Sequence, residues 1–303
     1  MNAPDLDPCR SALADVVAIP VTPFAEDGTV DQDAYRMLLR RLLDGGIRAL
    51  TPNGNTGEFY ALSPEERLLV TELTVAEAGG RAEVLAGVGH DLTTAIASAR
   101  HARDTGASMI MIHQPVHPYV ARDGWIDYHR SIADAVPGLG VVPYIRDPAL
   151  DGRTLDRLGA LCPNVVGVKY AVRDAARFAA FARDAGLDRF VWVAGLAELY
   201  APAYWSAGAT GFTSGLVNVA PSVSTGMLAA LRAGDFAEAM RVWERIRPFE
   251  ELRAARQSAD NVTVVKAALA ELGLCRAEVR PPSRQLPDPV REEVAALVRG
   301  WGL

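Results

Sequence analysis

Residues 140–171 read GVVPYIRDPALDGRTLDRLGALCPNVVGVKYA. A valine-rich apolar run stands at each end, and a longer stretch of mixed polarity separates the two runs. Short apolar runs flanked by turn-forming residues indicate β-strands, and the stretch between them is long enough for a helix. Strands joined in this way lie parallel in one sheet. The segment therefore predicts one strand–helix–strand unit of an α/β protein.

The same unit recurs along the chain. Eight β-rich runs alternate with helix-length stretches and account for residues 1–235. No GxGxxG or Walker-type loop follows the first run, which disfavours an open doubly wound sheet. We therefore predict an α/β fold, a closed (β/α)8 TIM barrel. The eight runs are VVAIPVTPF from Val16, ALTPNG from Ala49, EVLAGVG from Glu83, SMIMIHQ from Ser108, GVVPYIR from Gly140, VVGVKYA from Val165, FVWVAG from Phe190 and TGFTSG from Thr210.

Two of the predicted helices have explicit start signals. Ser63 is followed by a proline and then by Glu66, the pattern of a capping box with proline in the first turn. Asp31 precedes an amphipathic stretch that two glycines close. Both patterns place helices where a barrel requires them.

Beyond the eighth run the chain shows helical patterns only. Helices are predicted over 222–256, 262–274 and 290–298, with a proline-rich connector before the last. Because residues 236–303 contain no strand of their own, we expect them to pack on the barrel as a C-terminal helical appendage within a single structural unit.

Composition excludes several classes of function. The chain has 303 residues and a net charge of −6, without a basic stripe for nucleic acid. No apolar run is long enough to span a membrane, and the N-terminus MNAPDLDPCR begins acidic rather than basic, so we expect a cytoplasmic protein. The three cysteines, Cys9, Cys162 and Cys275, lack metal-binding spacing and are interpreted as buried thiols.

Lysine is rare in this chain. Of 31 basic residues only two are lysines, Lys169 and Lys266. Lys169 lies within the valine-rich sixth run, where burial would lower the pKa of its amine and make it nucleophilic. Active sites of these barrels lie at the carboxyl ends of the strands. We therefore predict Lys169 as a Schiff-base nucleophile, and a lysine reaching from a strand end to solvent is the alternative.

Two other strand ends carry candidate residues. Tyr144 ends the fifth run, one unit before Lys169, and a phenol beside an amine can relay protons. After the second run, Gly54 and Gly57 flank Asn55 and Thr56 in a turn whose amides and hydroxyl suit a carboxylate. An ordinary tight βα turn explains the same pattern.

Several of these motifs resemble one known family. GNTGEFYALSPEER, PYIRD, VVGVKY and ATGFTSGLVNVAP are similar, in order and spacing, to the motifs of the dihydrodipicolinate synthase and N-acetylneuraminate lyase superfamily. The resemblance implies that Lys169 forms an imine with a 2-keto acid, that Tyr144 is the acid/base, and that Thr56 with the Asn55 amide holds the substrate carboxylate. It also implies a homotetramer or dimer.

The departures from this pattern concern the substrate. Synthases of the family carry a relay threonine, a relay tyrosine and an arginine clamp where this chain has Asn55, His117 and Ala149, although Arg146 is near. The YIRD, APAY and VRPP segments resemble 5-dehydro-4-deoxyglucarate dehydratases more closely. The resemblance therefore favours dehydration of a 3-deoxy-2-keto sugar acid. Pyruvate-dependent aldol cleavage, synthase-like condensation and a non-catalytic keto-acid-binding protein are the alternatives.

Further strand-end residues are candidates for contact with the substrate. His113 lies at the end of the fourth run and His117 follows it; both could contact hydroxyl groups, or with the His90–Asp91 pair could ligate a metal. We expect neither metal nor other cofactor, because the iminium is itself an electron sink. The substrate-binding candidates are Asn55, Gly54, Gly57, Arg146, His113, His117, Gly195 and Ser214.

Overall fold

A computed structural model describes residues 5–302; part of the acidic N-terminal segment and the last residue of the appendage lie outside them. Eight parallel strands form a closed barrel in chain order, as predicted. Each of the eight β-rich runs contains one strand. The strands are β1 (Val16–Ala18), β2 (Ala49–Leu50), β3 (Glu83–Val88), β4 (Met109–Ile112), β5 (Gly140–Ile145), β6 (Gly167–Tyr170), β7 (Val191–Ala194) and β8 (Gly211–Ser214).

Helices connect the strands and cover the outside of the barrel. Both predicted start signals are confirmed: the Asp31 side chain accepts a hydrogen bond from the Ala34 amide, and Ser63 forms a capping box with Glu66. The helices up to the eighth unit are α1 (Asp7–Leu13), α2 (Gln32–Asp44), α3 (Pro64–Ala78), α4 (Leu92–Thr105), α5 (Arg122–Ala135), α6 (Gly152–Leu161), α7 (Ala175–Ala185), α8 (Ala197–Ser206) and α9 (Pro221–Arg232).

The side chains of each strand alternate between two hydrophobic layers. Successive side chains of a strand point to opposite faces, so alternate residues fill the barrel and the others meet the helices. In β6, Lys169 shares the inward face with Gly167, and Tyr170 belongs to the outer layer. The inward layer includes Val17, Ala49, Leu85, Met109, Met111, Val142, Tyr144 and Val193.

Helix α1 closes the amino-terminal end of the barrel and was not predicted. Leu13 is fully buried and belongs to the inward layer together with Cys9. A β-carbon at Gly167 would lie 2.8 Å from Leu13, and one at Gly140 would lie 3.5 Å from Cys9. Because α1 closes the amino-terminal end, a cavity in the barrel can open only at the carboxyl ends of the strands.

The appendage differs in detail from the prediction. The single helix expected over 222–256 is two helices, α9 and α10 (Phe236–Ser258), because Gly234 adopts a φ of 71° and Asp235 caps α10. Backbone angles near the end of α10 are not helical, and residues 256–258 all have positive φ. Two further helices follow, α11 (Asn261–Glu271) and α12 (Asp288–Gly300).

Two findings bear on composition. No helix within residues 5–302 is long and apolar enough to cross a membrane. Cys9 and Cys162 are buried, as expected, whereas Cys275 is half-buried. Burial raises the pKa of each thiol to about 11, so all three are protonated near neutral pH.

Candidate active site

A cavity of about 400 Å³ lies at the carboxyl ends of the strands. Residues from β5, β6 and the loop after β2 form its floor, and residues from α10 and α11 form one wall. Six of the sequence-predicted site residues line it: Lys169, Tyr144, Thr56, Asn55, Arg146 and Gly195. The barrel therefore brings together residues that lie far apart in the chain.

Lys169 points into this cavity from β6. The parallel register sets it beside Tyr144 of β5, and its Nζ lies 4.1 Å from the centroid of the Tyr144 ring. Burial, together with the positive charge of Arg146, lowers the pKa of Lys169 to about 7. A substantial fraction of the amine is therefore neutral at pH 7 and able to attack a ketone.

Tyr144 places a phenol beside that amine. Burial raises the pKa of its phenol to about 12, so the hydroxyl keeps its proton at neutral pH. The Asn55 side-chain nitrogen donates a 3.2 Å hydrogen bond to the hydroxyl oxygen. Since an amide N–H only donates, this bond leaves the phenol proton directed elsewhere.

The loop after β2 presents Asn55 and Thr56 as a short 3₁₀ turn, residues Asn55–Gly57. The predicted role of its glycines needs correction, because the positive φ angles belong to Asn53 and Glu58. Gly54 is required by packing instead: a β-carbon there would lie 2.4 Å from Ile19. Gly54 and Gly57 support the turn and are not among the residues lining the cavity.

The second lysine fixes this loop. Lys266 of α11 is fully buried and donates to the Glu58 carboxylate at 2.5 Å and to the Glu278 carbonyl at 2.7 Å. The other Glu58 oxygen accepts from the Arg280 amide at 3.0 Å. The two lysines of the chain thus have different surroundings: Lys266 is paired, and Lys169 faces a cavity.

Three further predicted residues lie apart from the cavity. His113 points inward but is fully buried; its Nε2 donates to the Asn53 carbonyl at 2.8 Å, and its ring stacks on Phe59. His117 lies on the surface near Tyr119 and lines a separate depression. Ser214 faces outward and donates to Glu198 of α8. This geometry does not support substrate contact by His113 or Ser214.

The histidines do not converge as a metal site would. His113 is engaged by Asn53 and Phe59, and His117 is in an exposed loop. Across residues 5–302, no group of three or more histidine, cysteine, aspartate or glutamate side chains is arranged to hold a metal ion.

Some cavity residues were missed by the sequence analysis. The wall formed by the appendage contributes Glu250, Arg253 and Asn261, and the Asn261 side-chain nitrogen lies 3.4 Å from the Thr56 hydroxyl. Thr213, the inward neighbour of Ser214, also lines the cavity. Strand alternation could have indicated Thr213, whereas helical periodicity does not reveal which residues of an appended helix reach the barrel mouth.

Comparison with known proteins agrees with this arrangement. A family model described as the dihydrodipicolinate synthetase family matches residues 12–300. The chain belongs to this family. It is 33% identical over 288 residues to a probable 5-dehydro-4-deoxyglucarate dehydratase of Rhizobium rhizogenes, covering 94% of this chain and 93% of the relative. It is 36% identical over 287 residues to a 4-hydroxy-tetrahydrodipicolinate synthase of Phenylobacterium zucineum, covering 93% and 95%.

Comparison with solved structures points to the same family. A crystal structure of dihydrodipicolinate synthase from Bacillus clausii is 41% identical, with a TM-score of 0.93, and the match covers 97% of this chain and 100% of that one. Members of the dihydrodipicolinate synthetase family are Schiff-base lyases, and so is this protein. Relatives with dehydratase names and relatives with synthase names match it about equally well.

Proposed function

We propose that the protein dehydrates a 3-deoxy-2-keto sugar diacid of the 5-dehydro-4-deoxyglucarate kind through an imine on Lys169. The observation that carries the proposal is the Lys169 amine, buried beside Tyr144 in a cavity with three arginines and one glutamate among its described lining residues. An excess of positive charge favours a substrate with two carboxylates. Thr56 and the Asn55 amide are the proposed ligands of the carboxylate beside the ketone.

The chemistry begins with attack of the neutral Lys169 amine on the C2 ketone. Tyr144 transfers the protons that turn the carbinolamine into an iminium and release water. The iminium acidifies C3, and loss of one C3 proton gives an enamine. The enamine then expels the C4 hydroxyl group, which leaves as water after taking up a proton. A conjugated iminium with a C3–C4 double bond remains.

That conjugated iminium can accept a further electron pair. The electrons of the C5–C6 bond move into the π system as C6 leaves as carbon dioxide, which gives a dienamine with an enol at C5. Protonation and hydrolysis of the imine release 2,5-dioxopentanoate and regenerate Lys169. One water and one carbon dioxide are lost for each substrate consumed.

One contact favours dehydration over synthase-like condensation. In the family pattern a threonine hydroxyl stands at position 55 and can both accept and donate a proton. Here the side-chain amide of Asn55 donates a hydrogen bond to the Tyr144 hydroxyl at 3.2 Å and cannot continue a hydroxyl relay. We therefore expect negligible condensation of pyruvate with aspartate semialdehyde.

The direct test is product analysis by NMR with 5-dehydro-4-deoxyglucarate as substrate. We expect 2,5-dioxopentanoate and an equal amount of carbon dioxide. Clean cleavage to pyruvate and an aldehyde would instead identify an aldolase. Turnover of pyruvate with aspartate semialdehyde at the rate of an ordinary synthase would overturn the dehydratase assignment.

A homotetramer or dimer is the proposed assembly. The loop after β4 supports it, because it exposes apolar side chains: Tyr119 is 85% exposed and Val116 is 58% exposed. A second copy of the chain is the proposed partner of this loop. Light scattering after size exclusion should give at least twice the mass of one chain, and Tyr119→Asp should reduce it.

A further inference from the structure

The appendage places a buried arginine at the cavity. Arg253 of α10 is 5% exposed, yet it lines the cavity together with Glu250 and Asn261. Gly215, directly after β8, makes room for it: a β-carbon there would lie 2.2 Å from Arg253 Nη2. The guanidinium therefore lies directly against the carboxyl end of a barrel strand.

The neighbours of Arg253 hold it without using all its donors. The guanidinium carries five N–H groups. Glu250 accepts one from Nη1, the Asn261 side-chain oxygen accepts one from Nη2 at 2.8 Å, and the Asn261 carbonyl lies 3.5 Å from Nε. One N–H remains on each terminal nitrogen, and a carboxylate can accept such a pair. A group already held in place loses little freedom when it binds.

The other two arginines of the cavity are in different situations. Arg146 lies near the reacting end, because its charge acts on the pKa of both Lys169 and Tyr144. Arg173 is exposed, and its Nη2 donates to Ser258 at 2.9 Å. Arg253 is the buried guanidinium of the three.

The geometry points to Arg253, fixed by Glu250 and Asn261, as the residue that binds the second carboxylate of a 2-keto diacid whose ketone is at Lys169. This inference rests on the proposed function and adds the part of the site that selects a diacid.

Two keto acids that differ only in the distal group provide the test. 2-Oxoadipate has six carbons and a terminal carboxylate, and 2-oxohexanoate has the same chain ending in a methyl group. Borohydride trapping on Lys169, followed by mass spectrometry, gives the concentration of each that half-saturates the enzyme. We expect the wild-type enzyme to favour 2-oxoadipate by about 10- to 100-fold, the usual value of a charge-assisted hydrogen-bond pair.

Arg253→Gln should abolish this preference and leave the half-saturating concentration of 2-oxohexanoate unchanged. Because Arg253→Gln leaves Glu250 buried without its partner, the double variant Glu250→Gln with Arg253→Gln serves as the folded control. It should show the same loss of preference. Arg173→Gln, a matched change at an exposed cavity arginine, should keep the preference.

Three results would overturn the inference. The first is loss of the preference for 2-oxoadipate in Arg146→Gln but not in Arg253→Gln, which would show that Arg146 binds the second carboxylate. The second is an equal increase in the half-saturating concentrations of both keto acids in Arg253→Gln, which would place Arg253 at the carboxylate beside the ketone. The third is equal trapping of both by the wild-type enzyme. No adduct with either keto acid would overturn the proposed function as well.

Discussion

The Nζ atom of Lys169 lies over the ring of Tyr144, 4.1 Å from the ring centroid. The amine thus has an aromatic neighbour and a cavity around it, and burial lowers its pKa to about 7. Because the neutral form reacts, acetylation of Lys169 by acetic anhydride should increase as the pH rises and reach half its maximum near pH 7. Peptide mapping reports the extent. A midpoint near the ordinary lysine pKa of about 10.4 would contradict the lowered pKa of Lys169.

The charge of Arg146 contributes to that lowered pKa. Arg146→Gln removes the charge, so the ammonium form of Lys169 becomes less unfavourable and the labelling midpoint should move to higher pH. The same titration measures the shift. Arg173→Gln is the matched control and should leave the midpoint where it is; an equal shift in both variants would argue for a general change in cavity charge.

Imine formation should depend on Lys169 and not on Lys266. With pyruvate and borohydride, the wild-type chain should gain one reduced ligand on the peptide that contains Lys169. Lys169→Arg should gain none, because a guanidinium cannot form the imine. Lys266 is fully buried and paired with Glu58. Modification at Lys266 in the native protein would refute the assignment of the nucleophile.

Removal of the Tyr144 hydroxyl should separate binding from proton transfer. Tyr144→Phe should still allow trapping of a keto acid after long incubation, while turnover falls by about 10²- to 10⁴-fold, the usual contribution of a general acid or base. NMR product rates measure the loss. Tyr170→Phe, at the neighbouring β6 residue of the outer layer, should retain most activity. Turnover unaffected by Tyr144→Phe would exclude the phenol as proton carrier.

Removal of one partner of the buried Lys266–Glu58 ion pair should destabilise the fold strongly. Lys266→Met leaves the Glu58 carboxylate buried without its cation and should lower the free energy of unfolding by about 3–5 kcal/mol. Urea denaturation measures this change. Adding Glu58→Gln should recover most of the loss, since no uncompensated charge then remains. A loss as large in the double variant would point to packing of the lysine side chain rather than to charge.

The sequence allowed the barrel to be predicted because its signal is local and repeated. Each strand is a short apolar run, and Asp31 and Ser63 cap helices through contacts within a few residues. Lys169 and Tyr144 could be placed together because adjacent parallel strands end at the same mouth. These inferences need only chain order and strand geometry.

The remaining errors have physical causes. Strand-end position alone predicts Ser214 as a site residue, but it shares the outward face of β8 with Phe212, and the inward Thr213 lines the cavity. His113 faces inward, yet Phe59 and the Asn53 carbonyl engage its ring. Contacts of this kind depend on tertiary packing between distant segments. The same holds for the reach of the appended helices to the mouth of the barrel.

The residues that line the cavity come from two parts of the fold, the barrel and the appendage. The strands carry Lys169 and Tyr144, the proposed nucleophile and proton carrier, whereas α10 and α11 carry Glu250, Arg253 and Asn261. Substitutions in these helices can therefore change which keto acid is accepted without altering the bond-making residues. A chimaera that exchanges them between relatives should keep the imine chemistry and acquire a new substrate range. The exchanged helices must retain a cation at position 266, because Lys266 of α11 pairs with the Glu58 carboxylate of the barrel.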